Sequence, residues 1–307
     1  MKILTVENLS KNYGNIKALK DVSFSVPPGT VFGILGPNGS GKTTLLGIVM
    51  DVLKASNGNY SWMGQDSSAE QRKKIGTLLE TPNFYHYLSA EANLKIAAKI
   101  KGRGEDDIDK VLKIVNLYER KKSRFSTYSL GMKQRLAIGS ALLGDPDILV
   151  FDEPTNGLDP AGIAEIRELI KELNRNGKTI IMASHILDEV EKVCTHVAII
   201  QKGVLKTVGS VKEVMSNAVG KDDSKTVLIE LSAENNEELK NILKKLDGVE
   251  EIDPVDNYIQ ITCRENITAA FVNKFCFQNG VVLTKLNEKR KSLETRFLEI
   301  TGKQSDK

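Results

Sequence analysis

Nine residues at 36–44, GPNGSGKTT, constrain this chain more than any other segment. The apolar run at 30–35 just before them predicts a strand, and the sequence from about residue 43 to residue 53 predicts a helix. Between a strand and a helix, the pattern G-x-x-x-x-G-K-[ST] is typical of a loop that surrounds phosphate groups. A glycine-rich turn that binds nothing is the alternative, and the flanking strand and helix make it the weaker one.

The residue types in this loop indicate how a nucleoside triphosphate would bind. Glycines let the backbone curl until successive N–H groups point at phosphate oxygens, and the following helix adds the positive end of its dipole. Lys42 is expected to reach the β- and γ-phosphates, and the Thr43 hydroxyl is expected to bind Mg²⁺. The prediction is therefore a site for ATP and Mg²⁺. The residues predicted to contact ATP here are Gly36, Pro37, Asn38, Gly39, Ser40, Gly41, Lys42, Thr43 and Thr44.

A second motif lies about a hundred residues later, at 148–153, where ILVFDE joins four apolar residues to two acids. A buried parallel strand has no packing reason to end in adjacent carboxylates. Asp152 is expected to hold Mg²⁺ directly or through water, and Glu153 is expected to orient or deprotonate the attacking water. An aspartate after a strand can also be a helix N-cap, so the motif alone is only moderately specific for catalysis. Its position about a hundred residues after a phosphate loop makes it a strong indication of an ATPase site.

Strand and helix signals alternate along the first two thirds of the chain, which predicts an α/β fold with a parallel, helix-flanked sheet. Residues 85–143 carry helical signals only and are predicted to form a helical insertion, with Ser89 and Ser129 as N-caps. The polar, turn-rich segment 217–225 predicts a boundary between a domain at 1–216 and a smaller one at 226–307.

The smaller domain restarts the alternation of elements. Its order, βαββαβ followed by a terminal helix, predicts a small ferredoxin-like α+β unit. Nothing in it indicates catalysis. Phe271, Phe275 and Phe277 are predicted to fill its core.

The balance of charges gives no indication of a nucleic-acid partner. Lys and Arg number 43 and Asp and Glu 40, for a net charge of +3, whereas a nucleic-acid site usually needs a concentrated basic face. The three cysteines lie far apart in sequence, which is typical of reduced intracellular thiols. The N-terminus has no signal-peptide core, and no apolar run approaches the ~20 residues that span a bilayer. We therefore expect a cytoplasmic protein.

Further segments stand at characteristic spacings around the two motifs. YSLGMKQRL at 128–136 precedes a helix, NGLD at 156–159 follows the carboxylates, His185 follows a strand, and Tyr13 lies in KNYG. With the phosphate loop and the carboxylates, these segments resemble the ABC ATPase family over about residues 1–215. The resemblance implies a P-loop NTPase fold, with a RecA-like core, a helical insertion and an N-terminal antiparallel β subdomain.

The resemblance also implies how these segments are used. Two cassettes pair head to tail, and each ATP lies between the phosphate loop of one and the signature segment of the other. There Ser129 and the backbone N–H of Gly131 touch the γ-phosphate, and His185 takes a catalytic role at the same phosphate. Tyr13 stacks on adenine, and Asp159 belongs to the loop beside the nucleotide. The alternatives are a structural role for His185 and a cover over an edge strand for Tyr13.

This chain has one phosphate loop, so its cassette partner must be a second copy or a paralogue, and we expect a homodimer. Two positions depart from the family pattern. Glu80 stands where the family keeps a glutamine, and as a carboxylate it is expected to bind Mg²⁺ and to assist catalysis. Without the metal, it could repel a phosphate. Leu130 replaces a glycine of the signature, which requires only that its side chain point away from phosphate, and Met132 replaces a glutamine.

Glu80, the signature segment and the ending SLETRFLEITG at 292–302 are similar to the branch of the family that exports bacitracin-like and lantibiotic peptides. The sequence therefore predicts the ATP-hydrolysing subunit of an ABC transporter, held at the inner face of the membrane by a separate permease. Its expected role is export of a peptide antibiotic or drug. The aromatic segment 82–88, PNFYHYL, is interpreted either as packing inside the helical insertion or as part of a groove for a permease helix.

The sequence disfavours two other functions. A soluble ABC ATPase acting on DNA or ribosomes usually carries two cassettes in one chain or long coiled-coil insertions, and this sequence has neither. The near-neutral charge also argues against a nucleic-acid partner. A nucleotide-binding regulator without turnover would have no use for the water-orienting carboxylate of Glu153.

Overall fold

The computed structural model describes residues 2–66, 68–79, 83–216, 226–255, 257–264, 267–289 and 293–302. The chain divides into two compact units, Met1–Val211 and Lys212–Lys307. The predicted boundary segment, 217–225, lies outside the described residues. The division falls before it because α8 (Val211–Ser216) begins the second unit, where the Val214 carbonyl accepts a hydrogen bond from Arg296 Nε at 3.1 Å.

The first unit alternates strands and helices, as the sequence predicts. Its strands are β1 (Leu4–Tyr13), β2 (Ile16–Val26), β3 (Val31–Leu35), β4 (Asn57–Trp62), β5 (Gln65–Asp66), β6 (Ile75–Leu78), β7 (Ile148–Asp152), β8 (Thr179–Ser184), β9 (His196–Gln201) and β10 (Val204–Ser210). Its helices are α1 (Lys42–Val49), α2 (Ala69–Lys73), α3 (Ala90–Lys101), α4 (Ile108–Ile114), α5 (Leu130–Leu142), α6 (Pro160–Arg175) and α7 (Leu187–Val193).

The central sheet has the strand order β10-β9-β3-β8-β7-β6. Strands β3, β7 and β8 are buried at every residue, because helices cover both faces of a parallel sheet and leave no face for polar side chains. All neighbours in this sheet pair in parallel except β9 and β10, which form an antiparallel hairpin. The carboxyl ends of β3, β7 and β8 therefore meet at one edge, where open α/β sheets bind their ligands.

A second, antiparallel sheet with the order β2-β1-β4-β5 forms the N-terminal β subdomain that the family resemblance implies. Strand β2 begins at Ile16, seven residues before the strand that the sequence predicts at 23–26. Its first half is mostly exposed, so it lacks the apolar alternation that marks a strand. A hairpin turn closes by pairing Tyr13 with Ile16, and Gly14 supplies the positive φ of +57°.

The helical insertion carries α3, α4 and α5, with short 3₁₀ turns at Tyr118–Arg120 and Phe125–Thr127. Both predicted N-caps are confirmed. The Ser89 hydroxyl accepts a hydrogen bond from the Ala92 N–H at 3.2 Å, and the Ser129 hydroxyl accepts one from the Met132 N–H at 3.3 Å. None of the helices in the described ranges combines the length and the apolarity needed to cross a bilayer.

The second unit contains an antiparallel sheet with the order β12-β13-β11-β14. Its further elements are β11 (Thr226–Ala233), α9 (Asn236–Leu243), β12 (Val249–Val255), β13 (Tyr258–Arg264), α10 (Ala269–Gln278), β14 (Leu283–Lys289) and α11 (Leu293–Thr301). This is the βαββαβ order that the sequence predicts, and helix α10 returns the chain so that β14 pairs with β11.

The prediction for the phenylalanines of α10 was wrong for two of the three. Phe271 is 48% exposed and Phe277 is 72% exposed, whereas Phe275 packs partly buried against the core. The core face of α10 is set by Val272 and Cys276, which are four residues apart and fully buried. Phe271 and Phe277 precede and follow that pair and therefore project away from it.

The three cysteines are free thiols and all are buried. Burial raises the pKa of each thiol, and it raises the pKa of Cys263 to about 11. These thiols therefore stay protonated at neutral pH and act as small packing groups.

Candidate active site

The predicted phosphate loop lies between the end of β3 and the start of α1. Gly41 is the N-cap of α1 with a φ of +109°, and no side chain caps the first turn. The first N–H groups of the helix are therefore left without a capping side chain and point into the loop. Such an uncapped N-terminus, preceded by glycines, suits a phosphate group.

Lys42 lies inside the loop and is buried. Its ammonium donates to the carbonyls of Gly36 at 2.9 Å and Pro37 at 3.3 Å, and it forms an ion pair with Glu153 Oε1 at 3.3 Å. Buried ammonium groups need such partners, since removal from water is otherwise costly. The lysine of the loop and the acid of the second motif, 111 residues apart in sequence, thus lie side by side.

The carboxylates occupy the end of β7, as predicted. Asp152 is the last residue of the strand and is buried, while Glu153 adopts a φ of +49° directly after it. A positive φ is strained for a glutamate, and the Glu153 N–H holds the turn by donating to the Ala183 carbonyl on β8 at 3.1 Å. This turn directs the Glu153 carboxylate toward the end of the neighbouring strand.

His185 follows β8 at the same edge. Its Nδ1 lies 2.8 Å from Glu153 Oε2, so the two oxygens of one carboxylate contact His185 and Lys42. The structure therefore brings together three predicted site residues, Lys42, Glu153 and His185. His185 therefore stands at the edge where open α/β sheets bind ligands, and its role at the γ-phosphate stays a prediction beside the structural alternative.

The residues at this edge also fit Mg²⁺ and a nucleotide. Magnesium prefers oxygen ligands and is usually held by one or two protein groups together with phosphates. The Thr43 hydroxyl and the Asp152 carboxylate are such donors, and in the described ranges no cluster of three or more His, Cys, Asp or Glu side chains forms a metal cage. The Ser40 hydroxyl in the loop is buried without a hydrogen-bond partner among the described residues, as expected for a site that a ligand completes.

Tyr13 lies at the tip of the β1–β2 hairpin and is 45% exposed, so its ring is accessible to a ligand, and its stacking on adenine stays a prediction. Lys11 Nζ lies 5.0 Å from the ring centre and donates to the Lys54 carbonyl at 2.6 Å. The lysine therefore holds the ring by a cation–π contact. Sequence reasoning missed Lys11, whose signal is its place two residues before Tyr13 in KNYG.

Ser129 and Leu130 of the signature segment are exposed at the start of α5, and none of the segment's hydrogen bonds among the described residues reaches the phosphate loop. Ser129 caps the helix, and the space around Gly131 is open. Leu130 is 50% exposed, and a Cβ on Gly157 would lie 3.4 Å from its side chain. A phosphate contact by Ser129 or Gly131 therefore stays a prediction that requires a second cassette.

Asp159 has a structural role that the sequence analysis missed. Its Oδ1 accepts a hydrogen bond from the Gly162 N–H at 3.0 Å, so Asp159 is the N-cap of α6, with Pro160 in the first turn. The signal was present as an aspartate directly before a proline and an amphipathic run. A nucleotide contact by Asp159 stays a prediction.

Glu80 lies outside the described residues, together with 81 and 82, so its predicted role at the metal is not tested. The residues after it support both interpretations of the aromatic segment. Phe84 and His86 pack edge-on against the buried Phe125, at ring distances of 5.2 and 5.5 Å. Tyr85 and Tyr87 are exposed.

An open cavity of about 630 Å³ lies beside this segment. It runs between the end of β6 and helices α3 and α5, and its walls mix apolar and polar side chains. We call it the insertion groove. Its lining residues are Thr77, Leu78, Leu79, Asn83, Phe84, Tyr85, His86, Asn93, Ile96, Ala97, Ile100, Ala137 and Ser140.

Two glycines of the phosphate loop give a matched prediction. A Cβ on Gly36 would lie 2.2 Å from the Ile200 carbonyl oxygen and 2.4 Å from Ser40 Oγ, so Gly36→Ala must displace the loop backbone. We expect Gly36→Ala to cost about 1–3 kcal/mol of stability and to weaken ATP binding at least ~10-fold, because misplaced N–H groups lose phosphate hydrogen bonds. Thermal unfolding and equilibrium ATP binding measure the two effects.

The control for this prediction is Gly39→Ala in the same loop. Gly39 has a φ of +75°, but no atom lies within 4 Å of the place that an added methyl group would take, so only the left-handed conformation is penalised, by about 1–2 kcal/mol. If the two variants bound ATP equally well, close packing of Gly36 would not shape the phosphate site.

Comparisons with known proteins place these motifs in context. A family profile described as ABC transporter matches residues 19–156. The uncharacterized ABC transporter ATP-binding protein YhcH of Bacillus subtilis (strain 168) is 38% identical over 98% of this chain and 96% of its own length. The bacitracin transport ATP-binding protein BcrA of Enterococcus faecalis is 32% identical over 98% of this chain and 96% of its own length.

A solved structure gives the same result for the fold. The dimeric, post-hydrolysis state of an ATP-binding cassette bound to ADP and Pi matches with a TM-score of 0.60 and 26% identity. The match covers 68% of this chain and 98% of that chain.

Proposed function

This chain belongs to the ABC transporter ATP-binding proteins and is an ATPase, and from this premise we propose that it powers export of a peptide antibiotic through a separate membrane permease. The proposal of a peptide antibiotic as substrate is supported by the extent of the similarity to the bacitracin transport protein. That similarity covers 98% of this chain, so it includes the second unit as well as the cassette. A likeness confined to the shared ATPase core would say nothing about cargo.

The residues of the phosphate loop are proposed to bind the triphosphate. Backbone N–H groups from Gly39 to Thr43 surround the β-phosphate, and Lys42 exchanges its contacts with the Gly36 and Pro37 carbonyls for phosphate oxygens. Bound Mg²⁺, held by Thr43 and Asp152, would neutralise charge on the phosphates. Tyr13, supported by Lys11, offers its exposed ring to the adenine.

Glu153 is proposed to accept the proton of the attacking water. Its carboxylate is held by Lys42 and His185 at 3.3 and 2.8 Å. When Lys42 turns to the phosphates, one Glu153 oxygen loses its ion-pair partner and becomes available to the water, while His185 keeps the carboxylate in place. The ion pair therefore keeps Glu153 occupied until a triphosphate enters the loop.

Hydrolysis is proposed to occur in a dimer of two copies of this chain. In the signature segment Ser129 is exposed and Gly131 is partly exposed, and the segment makes no hydrogen bond to the phosphate loop among the described residues. A second copy would bring its own signature segment to the γ-phosphate, so that ATP joins the two cassettes and its hydrolysis releases them. Light scattering with and without ATP measures this association.

The insertion groove is proposed to receive a helix of the permease. Its walls include the exposed side chains of Tyr85 and Ile100 beside polar groups such as Asn83 and Asn93, a mixture that suits an amphipathic helix. Movement of the helical insertion on ATP binding would then reach the membrane protein. Attachment through the permease would place the chain at the inner face of the membrane.

Resistance to bacitracin tests the proposed substrate class. Cells that express this chain with the membrane protein encoded beside it are expected to tolerate a higher bacitracin concentration than cells with either protein alone. The Glu153→Gln variant, expressed at the same level, is the control because it should bind ATP without turnover. Equal tolerance with the wild-type chain and with this variant would contradict the proposal of bacitracin-like export.

A further inference from the structure

A short stretch of the helical insertion concentrates positive charge. Residues 113–124 contain Lys113, Arg120, Lys121, Lys122 and Arg124, which we call the basic ridge, and only one acid, Glu119. Five positive charges and one negative charge leave this stretch at +4, whereas the whole chain carries +3. The near-neutral net charge of the whole chain therefore does not exclude a local basic face. The position of the basic ridge in the structure determines what it can contact.

Most of this charge is available to a partner. Lys121 pairs with Asp109 at 2.8 Å, but no carboxylate in the described part of the chain lies within ion-pair distance of Lys113, Arg120, Lys122 or Arg124. Internal ion pairs would neutralise such a cluster if its role were only structural. Four cations without carboxylate partners instead produce a field that attracts anions.

The cations of the ridge border a shallow hollow on the surface. A hollow of about 350 Å³ is lined by Lys113, Asn116, Tyr118, Glu119 and Arg120. The Tyr118 ring lies between two ammonium groups, Lys113 Nζ at 4.9 Å and Lys121 Nζ at 4.3 Å from its centre. These cation–π contacts hold the lysine side chains beside the hollow, where Arg120 adds donors for an anionic oxygen.

The ridge reaches the rim of the insertion groove. Directly after Arg124, the Phe125 N–H donates to the Leu88 carbonyl at 2.8 Å and the Ser126 N–H donates to the His86 carbonyl at 3.0 Å. His86 lines the groove. The orientation that follows rests on the proposed function: if the groove faces the permease, the neighbouring ridge faces the bilayer surface that surrounds that permease.

We propose that the basic ridge binds anionic phospholipid headgroups of the membrane. The cytoplasmic surface of a membrane attracts clustered Lys and Arg side chains, with about a fivefold gain in binding for each charge near the surface. In the described residues of 113–124 no large apolar side chain is strongly exposed, so the contact is electrostatic and does not insert into the acyl layer. The ridge would keep the cassette beside the bilayer while the groove holds the permease.

Vesicle binding of the full-length chain tests the ridge. Vesicles of phosphatidylcholine mixed with phosphatidylglycerol are compared with pure phosphatidylcholine vesicles at low ionic strength. The variant combines four substitutions, Lys113→Gln, Arg120→Gln, Lys122→Gln and Arg124→Gln. We expect the wild-type chain to bind only the anionic vesicles, and the variant to bind them on the order of 10²-fold more weakly, because each of the four lost charges removes about a fivefold factor.

A matched variant removes the same charge from the second unit, by Lys240→Gln, Lys244→Gln, Lys245→Gln and Lys274→Gln. It should bind the vesicles like the wild-type chain, because it keeps the basic ridge. Since both variants lose four positive charges, a difference between them cannot come from total charge. Inorganic phosphate, compared with chloride at equal ionic strength, distinguishes a lipid surface from a free-phosphate site: only a free-phosphate site would be blocked specifically by phosphate. Basal ATPase turnover of the ridge variant should be unchanged.

Three results would overturn the proposal. The ridge variant could bind anionic vesicles as tightly as the wild-type chain, or phosphate could block binding specifically. Third, the wild-type chain could fail to bind anionic vesicles; if neutralising the ridge then weakened binding of the permease or of a DNA duplex, the ridge would be assigned to an acidic protein or a nucleic acid. The vesicle assay contains no permease, so its failure would leave the proposed transport function intact.

Discussion

Replacement of Glu153 with glutamine is expected to lower ATPase turnover by about 10²–10⁴-fold, the usual contribution of a positioned general base. Glutamine keeps the shape of the side chain and can still contact His185, which lies 2.8 Å from Glu153 Oε2 in the native protein. It cannot accept the water proton. ATP binding should persist, because the phosphate loop and its lysine are unchanged. Phosphate release and equilibrium binding of a fluorescent ATP analogue measure the two quantities separately.

The control for Glu153→Gln is Glu168→Gln on α6. Glu168 is an exposed carboxylate that forms surface ion pairs with Arg167, Lys171 and Arg175, and such pairs contribute little to stability. This variant should hydrolyse ATP like the wild-type chain. Normal turnover by Glu153→Gln would show that another group deprotonates the water, and the assignment of Glu153 as the base would be wrong.

Replacement of Lys42 with alanine is expected to weaken ATP binding by about 10²-fold, since charge-assisted hydrogen bonds contribute about 1.5–3 kcal/mol each. The variant removes the positive charge at the phosphates and also the 3.3 Å ion pair that holds Glu153. Turnover should fall at least as far as affinity, because the phosphates and the carboxylate both lose their positioning partner.

Trp62 supplies the measurement for this variant. It is the single tryptophan of the chain, and its indole N–H donates to the Val49 carbonyl at the end of α1 at 2.9 Å. Since α1 begins at Lys42, a change at the phosphate loop can reach the indole along one helix. A titration with ATP should change Trp62 fluorescence in the wild-type chain and in the control Lys20→Ala. If Lys42→Ala bound ATP with wild-type affinity, Lys42 would not contact the phosphates.

Local sequence signals predicted the elements of this fold well, because each element carries its own pattern. The buried strands β3, β7 and β8 read as apolar runs, and Ser89 and Ser129 marked the starts of α3 and α5. The failures occurred where local pattern and tertiary packing differ. Helix α1 ends at Val49 and not near residue 53, because Asp51 takes a φ of +61° and the chain turns back to the Gly47 carbonyl.

The site could be predicted in part. Lys42, Glu153 and His185 were each identified from their motifs, but their mutual contacts depend on the order of strands in the sheet, and sequence spacing alone does not reveal that order. Because β8 lies between β3 and β7, the residues that follow these strands meet at one edge. Lys11 and the capping role of Asp159 were missed because they act through neighbours in space or through a helix start that was read as part of a nucleotide loop.

The central claim is that ATP hydrolysis by this chain drives transport through a separate membrane permease. The measurement that tests it most directly is the ATPase turnover of the full-length chain, alone and then reconstituted in vesicles with the membrane protein encoded beside it. We expect turnover to rise several-fold with the permease and to rise again when bacitracin is added, with no rise in the Glu153→Gln variant. Strong turnover that is the same with and without every membrane partner would contradict the account.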